Sequence, residues 1–160
     1  MSVRFATVFD ADGVMACLRV MHEENGLFSL AEDRVLELIR LATDERAPLT
    51  KRPVIGVIGP PGDIEATICL ALAQLYYTDE FHLADMWNFI RPDCRKKMHI
   101  TALLQFAKEC SDKLGVPLMS GVVSNNRTEA KVRLYRRYFG PFSGAFFVYQ
   151  PKHSDEARAS

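Results

Sequence analysis

One segment constrains the fold more than any other, because an extended run passes through a proline into the longest helix that the sequence predicts. The run from Glu80 to Ile90 reads as a strand, and it ends at Arg91-Pro92, where proline disfavours helix in the preceding residue. A helix is expected from Asp93, and Gly115 and Pro117 end it in the order typical of helix C-termini. Its apolar face consists of Ile100, Leu103, Leu104, Ala107 and Leu114. A strand that leads into such a helix favours an α/β domain.

The N-terminal part of the chain predicts one strand and two helices. A strand is expected from Val3 to Val8, after which Asp10 or Asp12 can cap a first helix. Ser29 followed by Glu32 is a capping-box signature for a second helix, which ends before a polar, proline-containing loop. The apolar residues at helical spacing are Val14, Cys17, Leu18 and Met21 in the first helix, and Ala31, Val35, Leu38 and Ala42 in the second.

Residues 54–90 predict three successive strands. The runs Val54–Ile58 and from Ile64 onward flank the sequence GPPGD, which can only turn, so they are expected to form a hairpin. Residues 68–77 fit a buried strand or a helix on periodicity alone, and the close hairpin turn favours the strand. The third strand is the run from Glu80 to Ile90.

Beyond the long helix the pattern is strand, helix and strand. A strand is expected from Leu118 to Val123, then a helix capped by Asn126 that runs to about Phe139. A last strand is expected at residues 145–149. The order βααβββαβαβ predicts a mixed, mostly antiparallel sheet flanked by four helices. We expect one domain of residues 1–150 and a mobile C-terminal tail of residues 151–160.

The charge balance and the spacing of Cys and His argue against several classes of protein. Lys plus Arg and Asp plus Glu each number 20, so no net charge attracts nucleic acid or an anionic membrane from a distance. The longest apolar run, residues 64–77, is too short to span a membrane, and no signal-peptide pattern is present, which favours a cytoplasmic protein. The four cysteines are far apart and are expected to be buried reduced thiols, and no Cys or His spacing indicates a metal site.

Four cations lie at the predicted start of the long helix, namely Arg91, Arg95, Lys96 and Lys97. The helix dipole makes cations unfavourable there by about 0.3–1 kcal/mol, and a bound anion would reverse that effect. The cluster therefore predicts either a phosphate site or a basic turn that faces solvent.

The order of elements resembles that of the GNAT superfamily of N-acyltransferases over nearly the whole chain. The family's fingerprint is a strand that ends near a proline, then Arg or Gln, two residues, Gly, one residue, Gly or Ala, and an apolar helix. Here it reads IRPDCRKKMHITALL, with Met98 and Ile100 in place of the small residues. The matching residues are Pro92, Asp93, Arg95, Leu103 and Leu104. The turn is also similar to that of small GNAT-type proteins encoded by bacteriophages.

The resemblance implies that acetyl-CoA is the acyl donor. Its pantetheine arm would pair like an added strand with the backbone of residues 88–90, and its pyrophosphate would lie at the turn from Arg95 to Thr101. Cations of the last helix would reach the nucleotide. The implied cofactor-binding residues are Asn88, Phe89, Ile90, Arg95, Lys96, Lys97, Met98, His99, Ile100, Thr101, Asn126 and Lys131.

A second stretch, SNNRTEAKVRLYRRYFG, resembles the last helix of the family and implies a catalytic acid. In that reading Tyr135 protonates the leaving thiolate of CoA. Tyr138 is a nearby competitor, and Tyr135 could instead be an aromatic residue that packs between the helix and the sheet.

The base that takes the proton of the attacking amine is expected on the strand before the turn. Simple alternation places Glu80, His82, Ala84, Met86 and Asn88 on one face, and Asp79, Phe81, Asp85, Trp87 and Phe89 on the other. His82 and Glu80 are the candidates if the first face contacts the substrate, and Asp85 is a third. A β-bulge in this strand would shift the alternation.

The sequence therefore predicts an N-acetyltransferase that transfers acetyl from acetyl-CoA to a primary amine of a small molecule or peptide. Attack would be direct, because no cysteine lies in a motif that activates it. Glu23 and Glu24 could attract the amine or simply end a solvated helix. The alternative is a GNAT-shaped binding module without catalysis, which would act on protein or nucleic acid through its basic last helix. A homodimer is compatible with either function.

Overall fold

The computed structural model describes residues 2–26, 28–48, 50–95, 97–122, 127–145 and 147. The chain divides into two compact units, Met1–Asn126 and Arg127–Ser160. The first unit contains the strands β1 (Arg4–Phe5), β2 (Val54–Ile58), β3 (Ala66–Gln74), β4 (Phe81–Ile90) and β5 (Leu118–Met119), and the helices α1 (Ala11–Asn25), α2 (Glu32–Thr43) and α3 (His99–Leu114). The second unit contains α4 (Thr128–Phe139).

The five described strands form one mixed sheet in the order β1-β2-β3-β4-β5. The first three pairs are antiparallel, and β4 and β5 are parallel, as the α3 crossover between them requires. The predicted α/β class, the meander and the four helices are confirmed, and residues 68–77 contribute to a strand rather than a helix. The predicted strand at residues 145–149 and the tail at 151–160 fall mostly or wholly outside the described residues.

The central strands are buried on both faces, and each face supports a separate apolar cluster. On one face, Val57, Cys69 and Trp87 pack against α1 and α2. On the other face, Ile68 and Leu83 pack against α3. This burial explains why residues 66–72 form a nearly continuous apolar run instead of an alternating one.

The boundaries of several predicted elements were wrong. The helix α2 begins at Glu32 with Ala31 at its N-cap and no side-chain cap, so Ser29 does not form a capping box. The helix α3 begins at His99 rather than Asp93, because residues 92–94 form a separate 3-10 turn after the proline. The strand β5 is only two residues long, which is shorter than the predicted run from Leu118 to Val123.

A buried ion pair fixes the N-terminal segment against the sheet and ends β1 earlier than predicted. The carboxylate of Asp10 has no exposed surface, and the guanidinium of Arg4 donates to both of its oxygens at 2.7 Å. The backbone amide and hydroxyl of Thr7 also donate to Asp10, at 2.8 and 2.9 Å. The hydrogen bonds from Arg4, with those from Thr7, lower the pKa of Asp10 to about 2.

Candidate active site

The two parallel strands of the sheet separate soon after they begin. Leu83 pairs with Leu118 and Ala84 with Met119, and no later residue of β4 has a described partner on that side. The strand nevertheless continues to Ile90 while it remains paired with β3 on its other side. Among the described residues, this leaves Met86, Trp87 and Phe89 without a strand partner on that side, so the edge of β4 is open there to an extended ligand.

A β-bulge lies at the point where β4 leaves β5. Cys69 of β3 faces Trp87, whereas the next residue, Leu70, faces Asp85, so Met86 is the extra residue of the bulge. The predicted alternation is therefore wrong on the N-terminal side of Met86. Residues directly opposite in an antiparallel pair share a face. The face of α1 and α2 thus contains His82, Ala84, Trp87 and Phe89, and the face of α3 contains Phe81, Leu83, Asp85 and Asn88.

The bulge brings a buried carboxylate to the divergence of the strands. The hydroxyl of Ser120, just beyond β5, donates to Oδ2 of Asp85 at 2.6 Å. The other oxygen, Oδ1, is buried and accepts no hydrogen bond from the described part of the protein. Burial raises the pKa of Asp85 to about 6, an effect that the hydrogen bond from Ser120 opposes. A buried acceptor without a donor costs about 1–3 kcal/mol, which points to a missing donor at Oδ1.

The two base candidates ranked first from the sequence lie elsewhere. Glu80 precedes β4 and is exposed, and its backbone amide donates to the hydroxyl of Thr78. His82 is partly buried opposite Ala73, three residues from Asp85 and before the strands separate. Three strand residues span roughly 10 Å. The sequence offered Asp85 as a third candidate for the base. Its position beside the diverging strands depends on the bulge at Met86.

The turn between β4 and α3 is braced by acids of the hairpin turn between β2 and β3. Arg91 pairs with Asp63 at 2.5 Å and with Asp93 at 2.8 Å. Glu65 accepts from Lys97 at 2.8 Å and lies 2.5 Å from Nε2 of His99, which is only 3% exposed. Hydrogen bonds from Lys97 and then His99 hold the pKa of Glu65 below its usual value. The predicted basic turn is therefore largely neutralised by its own neighbours, which sequence spacing could not indicate.

Arg95 links this turn to the last turn of α1. Its Nε donates to the carbonyl oxygen of Ile90 at 3.2 Å, and its Nη2 donates to Oε2 of Glu24 at 2.5 Å. Its guanidinium carbon lies 5.6 Å from the centre of the Phe89 ring, a cation–π distance. Arg95 thus lies against residues of the open strand edge and on the side of α1.

The first turn of α3 presents its backbone amides without a side-chain cap. Met98 occupies the N-cap, makes no capping hydrogen bond and is 75% exposed. The ring of His99 is buried against Glu65, and Ile100 is half-buried. The side chains of Met98 and His99 are thus directed to solvent and to the interior, and the amides at this helix start keep their partial positive charge for an anion.

Tyr135, which was predicted as the acid, lies in the second unit. Tyr135 is partly buried on α4, with its ring 5.6 Å from that of Phe139 in an edge-to-face contact. Arg133 lies 3.8 Å from Glu129, and Arg136 lies over the ring of Phe142. Lys131 is exposed on the same helix, whereas Lys96 and Asn126 lie outside the described residues.

The four thiols are buried and unpaired with one another, as predicted. Burial raises the pKa of each, to about 11 for Cys17, so none is an activated thiolate at neutral pH. No group of three His, Cys, Asp or Glu side chains in the described ranges could hold a metal ion. No helix among those ranges is long and apolar enough to cross a membrane.

Comparison with known proteins identifies the fold. No family model and no curated protein matches the sequence. An acetyltransferase of Trypanosoma brucei matches at 14% identity and a TM-score of 0.67, covering 94% of this chain and 99% of that one. A "predicted acetyltransferase" of Clostridium acetobutylicum, solved with acetyl-CoA, matches at 12% identity and 0.69, covering 93% and 95%. The enzyme AAC(6')-Iy, solved with a CoA-linked bisubstrate analogue, matches at 10% and 0.66, covering 94% and 97%. The chain has the GNAT-like acetyltransferase fold.

Proposed function

We propose that this protein is an acetyl-CoA-dependent N-acetyltransferase. The observation that carries the proposal is the open edge of β4 beyond its bulge, in a fold shared with an acetyltransferase that was solved with acetyl-CoA. An extended ligand can add to this edge as a strand would. The transferred group, bound as a thioester, would supply an electrophilic carbonyl beside the bulge.

The residues present fit such a donor in two places. The backbone of Asn88, Phe89 and Ile90 lies along β4 beyond the bulge and would hold the pantetheine arm. The uncapped amides at the start of α3, from His99 to Thr101, would hold the pyrophosphate. The side chains of Arg95 and Lys97 and the backbone of Met98 would contribute to the same site. Roles for Lys96, Asn126 and Lys131 stay predictions.

The chain itself offers an acid and a base for the direct reaction. Asp85 would take the proton that the attacking ammonium must lose, because its Oδ1 is buried at the divergence and accepts no hydrogen bond from the described residues. Tyr135 would donate its phenolic proton to the leaving thiolate. The buried thiols support direct attack, since none of them is an activated nucleophile. His82 and Glu80 stay predicted bases, and the activities of their variants can be compared with that of Asp85→Asn.

Calorimetric titration with acetyl-CoA tests the proposal at its first step. The parent protein should bind with a Kd in the micromolar range, and a panel of primary amines should then release free thiol. The acceptor class, a small-molecule or peptide amine, would follow from that panel. No binding at millimolar acetyl-CoA would contradict the proposal and favour a binding module that uses the basic surface of α4, where Arg133, Arg136 and Arg137 are exposed.

Replacing Tyr135 with phenylalanine should lower kcat about tenfold or more while the Kd for CoA stays within about twofold, because only the proton donor is lost. Steady-state kinetics and calorimetry measure the two quantities. Tyr138→Phe, three residues along the same helix, is the matched control. An unchanged kcat for Tyr135→Phe would remove this residue from the mechanism, and a slow Tyr138→Phe variant would assign the role to its neighbour.

A further inference from the structure

The ion pair between Glu24 and Arg95 joins the end of α1, where acids could attract the amine, to the turn that would hold the pyrophosphate. Glu24 lies in the last turn of α1, and Arg95 lies in the turn that would hold the pyrophosphate. The contact is 2.5 Å long across 71 residues of sequence. It is partly open to solvent, with 42% of the Arg95 side chain and 27% of the Glu24 side chain exposed. Either partner can therefore be reached by a ligand.

Glu24 is unfavourably placed without a cation beside it. A carboxylate at a helix C-terminus opposes the negative end of the dipole, and Glu24 lies one residue from the end of α1. Arg95 removes this cost, but an incoming pyrophosphate would offer Arg95 a doubly charged partner. Glu24 would then be left at its helix end without a cation.

We propose, on the basis of the N-acetyltransferase function above, that Glu24 occupies the place of the pyrophosphate on Arg95 until acyl-CoA binds. The pyrophosphate of acyl-CoA then binds Arg95 in place of Glu24. The released Glu24 carboxylate attracts a positively charged acceptor. The two substrates thereby bind with positive coupling, since each relieves a cost that the other creates. The acceptor class that this carboxylate recognises is an alkylammonium rather than a neutral hydroxyl compound.

The first test is a gain of affinity. Glu24→Gln should bind CoA about two- to fivefold more tightly than the parent protein, because a partly exposed ion pair no longer competes for Arg95. Glu23→Gln is the matched control, since Glu23 is the exposed neighbour and loses the same charge. The gain should disappear in an Arg95→Gln background, and pantetheine, which lacks the pyrophosphate, should bind both variants equally.

The second test uses turnover with the amine panel at saturating acetyl-CoA. Glu24→Gln should raise the KM for the amine about fivefold or more with kcat changed less than twofold, and the exposed Glu45→Gln, in the loop after α2, should change neither quantity by that much. If the parent protein binds CoA but Glu24→Gln binds it no more tightly than Glu23→Gln, the exchange of Arg95 is wrong and the proposed function stands. If the parent protein binds no CoA, both proposals fail together.

Discussion

Replacing Asp85 with asparagine is expected to lower kcat/KM about 100-fold or more, because a general base contributes about 10²–10⁴ to the rate. The substitution preserves the shape of the side chain, and an amide oxygen can still accept from Ser120. The loss should therefore appear in the kinetics and not in the folding. Steady-state rates over pH 5–9 measure it, with the exposed Asp79→Asn as the control for loss of one negative charge.

The same substitution should leave the protein as stable as its parent or more stable above pH 7. Burial raises the pKa of Asp85 to about 6 from an ordinary value of 3.8, so the folded state holds this proton more tightly than the unfolded chain. Stability is then lost as the pH rises from about 4 through 6, by at most about 3 kcal/mol. The amide of the Asp85→Asn variant does not titrate, and urea unfolding at pH 5 and pH 8 would show this decline in the parent alone.

The pH profile separates a catalytic Asp85 from a structural one. In the parent protein kcat/KM should rise with pH through about 6 as the carboxylate ionises. Ser120→Ala should move this limb to higher pH, because the hydrogen bond from Ser120 lowers the pKa of Asp85. Full activity of Asp85→Asn would rule out Asp85 as the base, and His82→Gln and Glu80→Gln would then identify the better candidate.

Replacing Asp10 with alanine should destabilise the fold by about 3 kcal/mol or more. The substitution removes a carboxylate with no exposed surface, so Thr7 loses this acceptor and Arg4 keeps only backbone carbonyl acceptors such as Gly59. For a chain of this size, such a loss lowers the Tm by roughly 10 °C. Thermal and urea unfolding measure it, and Asp12→Ala, an exposed position in the first turn of α1, is the matched control.

The pH dependence of unfolding gives a second readout for the same pair. The folded pKa of Asp10, about 2, lies below the ordinary value of 3.8, so its stabilisation is complete above about pH 4 and is lost as the pH falls towards 2. Asp10→Asn should flatten that part of the curve. A double-mutant cycle with Arg4→Ala gives the coupling energy, and a coupling near zero would show that the pair contributes little.

The sequence by itself determined the order of the elements and the place of the turn between β4 and α3. Strand and helix periods depend on neighbouring residues, so the meander at residues 54–90 and the strand-proline-helix transition at Pro92 could be read directly. The match to the acetyltransferase fold confirms that order through α4. The boundaries were less accurate, because caps and short turns depend on single hydrogen bonds such as those of Asp10 with Thr7.

Only the tertiary structure decided which side chains meet at the candidate site. One extra residue at Met86 reversed the predicted faces of β4 on its N-terminal side and placed Asp85 on the same face as Asn88, beside the divergence. The cations of the turn have partners far away in sequence, since Arg95 pairs with Glu24 and Lys97 pairs with Glu65. A bulge and a long-range ion pair depend on how strands and turns pack together. The spacing of apolar residues along the sequence does not indicate that packing.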